Sequence, residues 1–203
     1  SVHGPYSQSW VDEWHRTQVS EHSYYCSDFK FRKGMVSDKN TPVYTLHMAD
    51  GMWLNKSFKN SILQRIAKCE LDGKRYVYSD LGFVLLQQVV EKVTELPMDL
   101  YLAREFYAPM GLQRTMFLPL TKFTKAEIMP TASNDFLRRQ DICGYVHDET
   151  AACMGGVSGN AGLFSTAEEV AKVYQMLLNG GEFNGKRFLS EATCRLFTTE
   201  KSA

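Results

Sequence analysis

Neither sign of charge is in excess in this sequence. Of its 203 residues, 23 are basic and 23 are acidic, which gives a formal net charge of zero. A surface that binds nucleic acid or an anionic membrane needs an excess of lysine and arginine. We therefore expect no nucleic-acid partner.

Long apolar runs are also missing. No stretch approaches the roughly 18 apolar residues that a membrane-spanning helix needs, so we expect no membrane span. The first ten residues, Ser1 to Trp10, are polar and lack the basic region followed by an apolar region that is typical of a secretory signal. The beginning of the sequence therefore predicts no compartment.

The cysteines and histidines form no metal-binding pattern. Five cysteines are scattered without a C-x-x-C spacing: Cys26, Cys69, Cys143, Cys153 and Cys194. This distribution fits neither a disulfide framework nor a zinc site, and we expect mostly buried or half-buried thiols. His147 with Asp148 and Glu149 is the one cluster with ligand chemistry, but it lacks a further ligand at a suitable spacing. We therefore predict no metal site.

The composition is that of a globular domain, with 44% hydrophobic and 12% aromatic residues. No internal repeat or low-complexity linker divides the chain, so we predict a single domain over residues 1–203; the family resemblance described below implies that this domain is partial. Residues 1–55 are predicted to be irregular and rich in aromatic side chains, with a short helix from Ser9 to Gln18 and a short strand from Val43 to Leu46. Residues 56–203 are predicted to be helical.

Apolar spacing and capping residues predict six helices in this second part. They run over Ser57–Lys68, Asp80–Thr94 with Ser79 as a cap, Met98–Tyr107, Asp148–Met154, a helix that opens with a capping box at Ser165–Glu168, and Ser190–Phe197. The fifth helix is predicted to turn five side chains inward: Ala167, Val170, Ala171, Tyr174 and Leu177. The predicted fold class is mainly α, with long ordered loops and few strands.

Motifs for catalysis or phosphate binding are absent or weak. Residues 156–160 depart from the nucleophile elbow Gly-x-Ser-x-Gly at the last position, and residues 155–162 do not have the form of a phosphate-binding loop. We expect no cofactor, and we expect the glycines to serve a turn or a close backbone approach. Ser27-Asp28-Phe29-Lys30 matches Ser-x-x-Lys, in which the lysine takes the proton of the serine. Because no helical pattern surrounds it, Ser27 and Lys30 are a weak nucleophile candidate.

Tyr78-Ser79-Asp80, directly before Leu81-Gly82 at a predicted helix start, resembles a known catalytic element. It resembles the Tyr-x-Asn element of the serine β-lactamases and penicillin-binding proteins. Further segments keep the order and spacing of that family: residues 106–112 with 115–117 resemble P-L-G-L-x-x-T-x-F, and residues 155–168 resemble G-G-L-x-S-T-A-x-D, followed by 175–181 and 185–190. The resemblance covers about residues 74–199. It is strongest to the hydrolase module attached to family 3 glycoside hydrolases in Bacteroidetes, in which a histidine usually stands where this chain has Asn160.

The resemblance implies the helical lobe of that family's α/β sandwich, from a serine hydrolase that acts on peptidoglycan peptide, an ester or a β-lactam. It assigns Tyr78 as general base or acid and Asp80 as a substrate contact. In that family Ser-x-x-Lys lies farther upstream of the tyrosine than Ser27 does, and Lys/His-x-Gly lies beyond the segment that this chain ends with. We therefore expect the chain to be inactive alone.

The same resemblance implies the partners and the location. The remaining parts of the parent hydrolase domain are the expected partner, with a glycoside hydrolase domain as a further one. The substrate is expected to be a peptide or an ester, and the location periplasmic or at the cell envelope.

Two alternatives stay open. The first is a non-catalytic module that binds peptidoglycan or another domain, which Asn160 in place of histidine favours. The second is an accessory module of a family 3 glycoside hydrolase. Independently of these alternatives, Tyr78 without the cations of Ser-x-x-Lys and Lys/His-x-Gly is expected to be an ordinary phenol, whose pKa of about 10 does not suit a base, and a hydrogen-bonding core residue.

Overall fold

The structure is a computed structural model that describes residues 15–20, 23–27, 31–69 and 78–199. The described residues group into two compact units. The first unit contains those up to Val89 together with 118–162, and the second contains 90–117 together with those from Leu163 onward.

Short antiparallel strands begin the first unit. Strand β1 (His15–Ser20) pairs with β2 (Ser23–Ser27), and a second sheet has the order β3 (Val36–Ser37), β5 (Met52–Asn55), β4 (Tyr44–Ala49). In that second sheet Leu46 faces Leu54 and His47 faces Trp53. Gly51 has a φ of 58° in the turn between β4 and β5, a conformation that glycine adopts without a steric cost.

These strands correct the sequence prediction for residues 1–55. Residues 15–18 lie in β1, so the predicted helix Ser9–Gln18 is wrong there, and its earlier residues lie outside the described part of the chain. Five strands stand where an irregular segment was predicted, and the strand predicted at Val43–Leu46 is confirmed within β4. Hydrogen bonding to a neighbouring strand, and not an apolar period, defines such short elements.

The described residues contain six α-helices. They are α1 (Ser57–Ala67), α2 (Leu81–Thr94), α3 (Met98–Leu102), α4 (Glu149–Cys153), α5 (Ala167–Leu178) and α6 (Glu191–Thr198). A π-helical turn, Ala103–Tyr107, extends α3, and two short 3₁₀ turns lie at Pro119–Thr121 and Lys125–Glu127. All six lie where the sequence predicts helices, which confirms the helix-rich fold class.

The core of the first unit forms where α1 meets the second sheet. Phe58, Ile62 and Ile66 recur every four residues, so they lie on one face of α1, and all three are buried. They pack in one cluster with Met48 of β4 and Leu54 of β5, both fully buried. The same cluster contains Val84 of α2 and the buried side chains Ala151, Ala152 and Cys153 of α4.

The second unit has a smaller core. Its buried members are Met110, Leu112 and Met176, with partly buried side chains such as Tyr107 and Phe188 packed against them. A two-stranded hairpin, β6 (Glu182–Phe183) and β7 (Lys186–Arg187), turns at Asn184-Gly185. Ser190 caps α6 as predicted, because its Oγ accepts a hydrogen bond from the N–H of Thr193.

A buried carboxylate joins the two segments of this unit. Glu169, in the first turn of α5, accepts hydrogen bonds from the backbone N–H groups of Gln113 at 2.7 Å and Arg114 at 3.0 Å. The hydroxyl of Thr115 donates to the same carboxylate at 2.6 Å. Three consecutive residues are therefore held by one side chain, in charge-assisted hydrogen bonds.

Helix α5 departs from the prediction in its cap and in its buried face. The N-cap is Thr166, whose Oγ1 accepts from the N–H of Glu169, so the predicted box at Ser165–Glu168 is one residue too early. The predicted inward face is largely wrong: Val170 and Tyr174 are 40% and 63% exposed, and Ala167 and Ala171 are exposed as well. Leu177 alone of the five packs half-buried against the second core, while Glu169 and Met176 are buried. The side of α5 that faces the second core therefore carries the buried carboxylate of Glu169 together with Val173, Met176 and Leu177.

We expect Glu169→Gln to destabilise the second unit, and Glu168→Gln to leave its stability almost unchanged. The amide keeps the size of the side chain but loses the charge that strengthens three hydrogen bonds, at a cost of about 1.5–3 kcal/mol. Glu168 is exposed and forms an ion pair with Lys172 on the helix surface, which is worth about 0.5 kcal/mol. Urea unfolding of both variants measures the difference.

The contribution of Glu169 has a defined pH dependence. Burial alone raises the pKa of Glu169, but hydrogen bonds from Thr115 and from the backbone of Gln113 and Arg114 outweigh it, so the pKa lies below its ordinary value. Such a group stabilises the fold above its unfolded pKa of about 4.3, and the contribution is lost as the pH falls through the folded pKa. The stability difference between wild type and Glu169→Gln should therefore shrink below about pH 4. A constant difference would contradict this role.

Candidate functional site

Tyr78, Ser79 and Asp80 stand at the start of α2, as predicted. The Oγ of Ser79 accepts a hydrogen bond from the N–H of Leu81 at 3.3 Å, and the carbonyl of Asp80 accepts from the N–H groups of Phe83 and Val84. These bonds occupy backbone donors that the first turn of a helix leaves open. The local sequence thereby fixes the backbone that carries Tyr78 and Asp80.

Tyr78 is exposed. Its side chain is 78% accessible, so the core position expected for an ordinary phenol is wrong. Asp80 is half-buried. Neither side chain is therefore part of the buried core.

The glycine-rich residues 155–162 pack against α2. The amide of Gln87, which is 1% exposed, donates through Nε2 to the carbonyl of Val157 at 3.3 Å and accepts through Oε1 from the N–H of Gly159 at 3.2 Å. A Cβ at Gly159 would lie 2.1 Å from the carbonyl oxygen of Phe83. The predicted close backbone approach of these glycines is therefore confirmed at Gly159.

The opposite side of the same run is anchored by side chains. Ser158 donates through Oγ to Oδ1 of Asn160 at 2.6 Å, and Nδ2 of Asn160 donates to Oδ1 of Asp148 at 3.1 Å. Asp148 also caps α4 by accepting from the N–H of Ala151 at 2.7 Å. Asn160 is thus part of a hydrogen-bonded chain that runs from Ser158 to the cap of α4.

A buried ion pair supports the loop that leads to α4. Arg138 and Asp135 have fully buried side chains, joined at 2.7 Å between Nη2 and Oδ2. Arg138 further donates to the backbone carbonyls of Val146 at 2.7 Å and His147 at 2.6 Å. Burial alone raises the pKa of Asp135, but the hydrogen bonds and charge of Arg138 outweigh it and lower that pKa. The carboxylate therefore stays charged and the loop stays fixed.

A second polar cluster escaped the sequence analysis. The ring of His47 stacks on Trp53 with centroids 3.8 Å apart, and the hydroxyl of Tyr145 lies 3.1 Å from Nε2 of His47 and 3.0 Å from Oδ1 of Asp50. Lys125 forms an ion pair with Asp50. Burial and the neighbouring Asp50 carboxylate raise the pKa of Tyr145, so this phenol is unsuited to act as a base. Its members lie almost a hundred residues apart, so no local spacing could predict it.

The weak nucleophile candidate is only partly described. Ser27 is the last residue of β2, and Lys30 lies outside the described residues. The motif needs both side chains on one helical turn. A strand at Ser27 does not provide that geometry, and a nucleophile role for the pair stays a prediction.

Neither a metal cluster nor a spanning helix is found in the described part of the chain. Within those residues, no three His, Cys, Asp or Glu side chains are grouped so that they could hold a metal ion, His147, Asp148 and Glu149 included. No helix there is long and apolar enough to cross a bilayer.

We expect Gly159→Ala and Gly82→Ala to have opposite effects on stability. An added Cβ at Gly159 would overlap the carbonyl of Phe83, which forces the loop or the helix to shift at a cost of about 1–3 kcal/mol. Gly82 lies in α2 with open space at its Cβ position, so alanine there should stabilise the helix by about 0.5–1 kcal/mol. Thermal unfolding compares the two. Equal melting temperatures would mean that the loop does not rest on the helix backbone.

Comparison with known proteins agrees with these observations. The sequence model of the family described as Beta-lactamase matches residues 19–203. A Salmonella agona (strain SL483) protein named "Putative D-alanyl-D-alanine carboxypeptidase" is 33% identical in a match that covers 87% of this chain and 48% of that protein. A protein of the same name from Salmonella schwarzengrund (strain CVM19633) is 36% identical over 155 residues, which cover 69% of this chain and 36% of that protein. The chain therefore spans about half or less of the length of these relatives.

A solved structure supports the fold. The octameric penicillin-binding protein homologue from Pyrococcus abyssi superposes with a TM-score of 0.51 at 18% identity, over 75% of this chain and 33% of that chain. At this identity the likeness bears on the fold alone, which is β-lactamase/transpeptidase-like. With a family match over residues 19–203 and the Tyr78-Ser79-Asp80 element at the start of α2, the chain belongs to the β-lactamase family of serine hydrolases.

Proposed function

We propose that this chain is the helical lobe of a serine acyl hydrolase that acts on the peptide of peptidoglycan, with esters or β-lactams as related acyl substrates. The observation that carries the proposal is the exposed Tyr78 beside Asp80 at the start of a helix on which a glycine-rich segment is packed. The name of the Salmonella relatives supports a D-alanyl peptide as the substrate class.

The proposed chemistry is acyl transfer. The oxygen of a serine attacks the substrate carbonyl and the bond to the leaving amine breaks, which gives an acyl-enzyme that water then hydrolyses. Tyr78 moves the proton from the serine to the leaving amine, as general base and then general acid. Asp80, half-buried next to it, contacts the substrate.

In this proposal the serine lies in a part of the parent domain other than this chain. Ser27-Asp28-Phe29-Lys30 is the one Ser-x-x-Lys match in the sequence, and Ser27 lies in a strand. The cations that would let Tyr78 ionise and act as a base are proposed to come from the family's Ser-x-x-Lys and Lys/His-x-Gly motifs, in the same other part of the parent domain. The isolated chain is therefore proposed to be inactive.

Exposed apolar side chains on α2 support a covering partner. Leu86, Val89 and Val93 follow one another at helical spacing and are 56%, 55% and 77% exposed. Contiguous exposed apolar faces mark surfaces that bind another protein part. The remaining part of the hydrolase domain, which the relatives' greater length provides for, is the proposed occupant.

Two further assignments rest on the sequence resemblance and on the substrate class. Attachment to a family 3 glycoside hydrolase domain is proposed from the similarity of residues 74–199 to such modules. A periplasmic or envelope location is proposed because peptidoglycan is found there.

We expect no covalent adduct when the isolated chain is incubated with a fluorophosphonate or, separately, with a penicillin. The complete hydrolase should gain one acyl group per molecule, and its Tyr78→Phe variant should acylate about 100- to 10,000-fold more slowly, because proton transfer is lost. Intact mass spectrometry measures both. A stoichiometric adduct on the isolated chain, at Ser27 or elsewhere, would overturn the assignment of an inactive lobe.

We expect the isolated chain to self-associate through the exposed face of α2. Leu86→Glu combined with Val93→Glu should weaken association at least tenfold, since each buried side chain contributes about 1.5–3 kcal/mol. Lys92→Glu is the matched control, because it adds negative charge to the same helix without touching an apolar side chain. Sedimentation velocity over a range of concentrations gives the dissociation constants. A stable monomer at every concentration would contradict the proposal that this chain is one lobe of a larger domain.

A further inference from the structure

We propose that Gln87 is a positioning residue of the active site: its amide holds the glycine-rich segment against the helix face that carries Asp80, and so sets the geometry around Tyr78. This inference rests on the proposed function, since it concerns the same site. It adds a residue that neither the motif resemblance nor the apolar pattern of α2 marks.

The contact itself is specific. A carboxamide has one donor side and one acceptor side, and in Gln87 these meet the carbonyl of Val157 and the N–H of Gly159. The side chain therefore pairs with alternate backbone groups of the segment as a neighbouring strand would. With 1% exposure, Gln87 has no access to solvent that could replace these bonds.

The helix geometry relates this contact to the site. At 100° per residue, Asp80, Val84 and Gln87 lie on one face of α2, and Asp80 and Gln87 are about 10 Å apart along its axis. Between them, the carbonyl of Phe83 meets Gly159 so closely that no side chain fits. The glycine-rich segment thus lies along the first two turns of the helix, on the side of Asp80.

The far side of the segment is fixed as well. Asn160 donates to Asp148, and Ser158 donates to Asn160. Asp148 belongs to the cap of α4, next to the loop that Arg138 holds. Gln87 therefore links a segment that is anchored to the body of the unit with α2, which begins directly after Tyr78-Ser79-Asp80.

The first arm of the test concerns the contact and uses the chain itself. Gln87→Met keeps the length of the side chain and removes both hydrogen-bonding groups. The backbone amide of Gly159 should then exchange with deuterium about tenfold faster than in wild type. Gln88→Met is the matched control, because the Nε2 of Gln88 forms no hydrogen bond with any described residue. The control should leave the exchange of Gly159 unchanged.

The second arm concerns the positioning and uses the complete hydrolase, with a chromogenic β-lactam or a p-nitrophenyl ester as substrate. Gln87→Met should lower kcat about 10- to 100-fold with little change in KM, because misplacement affects the transition state more than binding. Gln88→Met should retain the wild-type kcat.

Gln87→Glu supplies a readout that a merely structural residue would not give. Its carboxylate can accept from Gly159 but cannot donate to Val157, whereas its protonated form can do both. The deficit in kcat relative to wild type should therefore shrink as the pH falls through the pKa of the new carboxyl. This partial rescue identifies the donated hydrogen bond as the cause.

The outcomes separate the two proposals. If the amide of Gly159 exchanges at the wild-type rate in Gln87→Met, Gln87 does not hold the glycine-rich segment against α2 and the proposal is overturned. Faster exchange with wild-type kcat overturns the positioning role while the proposed function stands. A wild-type complete protein that turns over neither substrate overturns the proposed function and, with it, the positioning role, while the exchange arm still reports the contact. Faster exchange, a lower kcat and acid rescue together support the proposal.

Discussion

Backbone hydrogen bonding without regular secondary structure is the constraint on which much of the first unit depends. Residues 118–148 contain two 3₁₀ turns and no α-helix, and a buried N–H or C=O without a partner costs about 1–3 kcal/mol. Arg138 meets this constraint by donating to the carbonyls of Val146 and His147 while Asp135 neutralises its charge. A buried pair of this kind is not replaceable one partner at a time, since the remaining charge would be left in a dry interior. This pair thereby holds the backbone directly before α4.

In each unit, a polar side chain on a helix also forms hydrogen bonds with the backbone of a distant loop. Gln87 reaches from α2 to two backbone groups of residues 155–162, and Glu169 reaches from α5 to three consecutive residues. In both cases a polar side chain occupies a position on a helix face that an apolar residue would normally fill. The helices therefore organise the loops, and the loops do not merely connect the helices. Long ordered loops are compatible with a small core for this reason.

The positions of the helices could be predicted from the sequence, because capping residues and apolar spacing act over a few neighbouring residues. Apolar spacing also gives the buried face of α1, on which Phe58, Ile62 and Ile66 lie, but it does not give that of α5. Periodicity shows that α5 is amphipathic, but Val170 and Tyr174 are exposed and Glu169 is buried, because hydrogen bonds to a distant segment decide which side turns inward. The element Tyr78-Ser79-Asp80 was found from its resemblance, whereas Gln87 was not, since its partners lie about 70 residues further along the chain. Apart from the strand predicted at Val43–Leu46, the strands of residues 15–55 were missed because their pairing leaves no long apolar period.

The two cores differ in their sensitivity to oxidation. Two of the three buried hydrophobic residues in the second core are methionines, Met110 and Met176. Oxidation of a thioether to a sulfoxide turns a flexible apolar group into a polar one. A core of this size has few other apolar contacts that could compensate for the loss. The first core also has two methionines among its buried members, Met48 and Met154, but it has ten other buried residues over which the same change is distributed. Oxidation of Met110 and Met176 would therefore leave Leu112 as the one buried apolar side chain of that cluster. Met129, which is 85% exposed, is a thioether that oxidants reach without any unfolding.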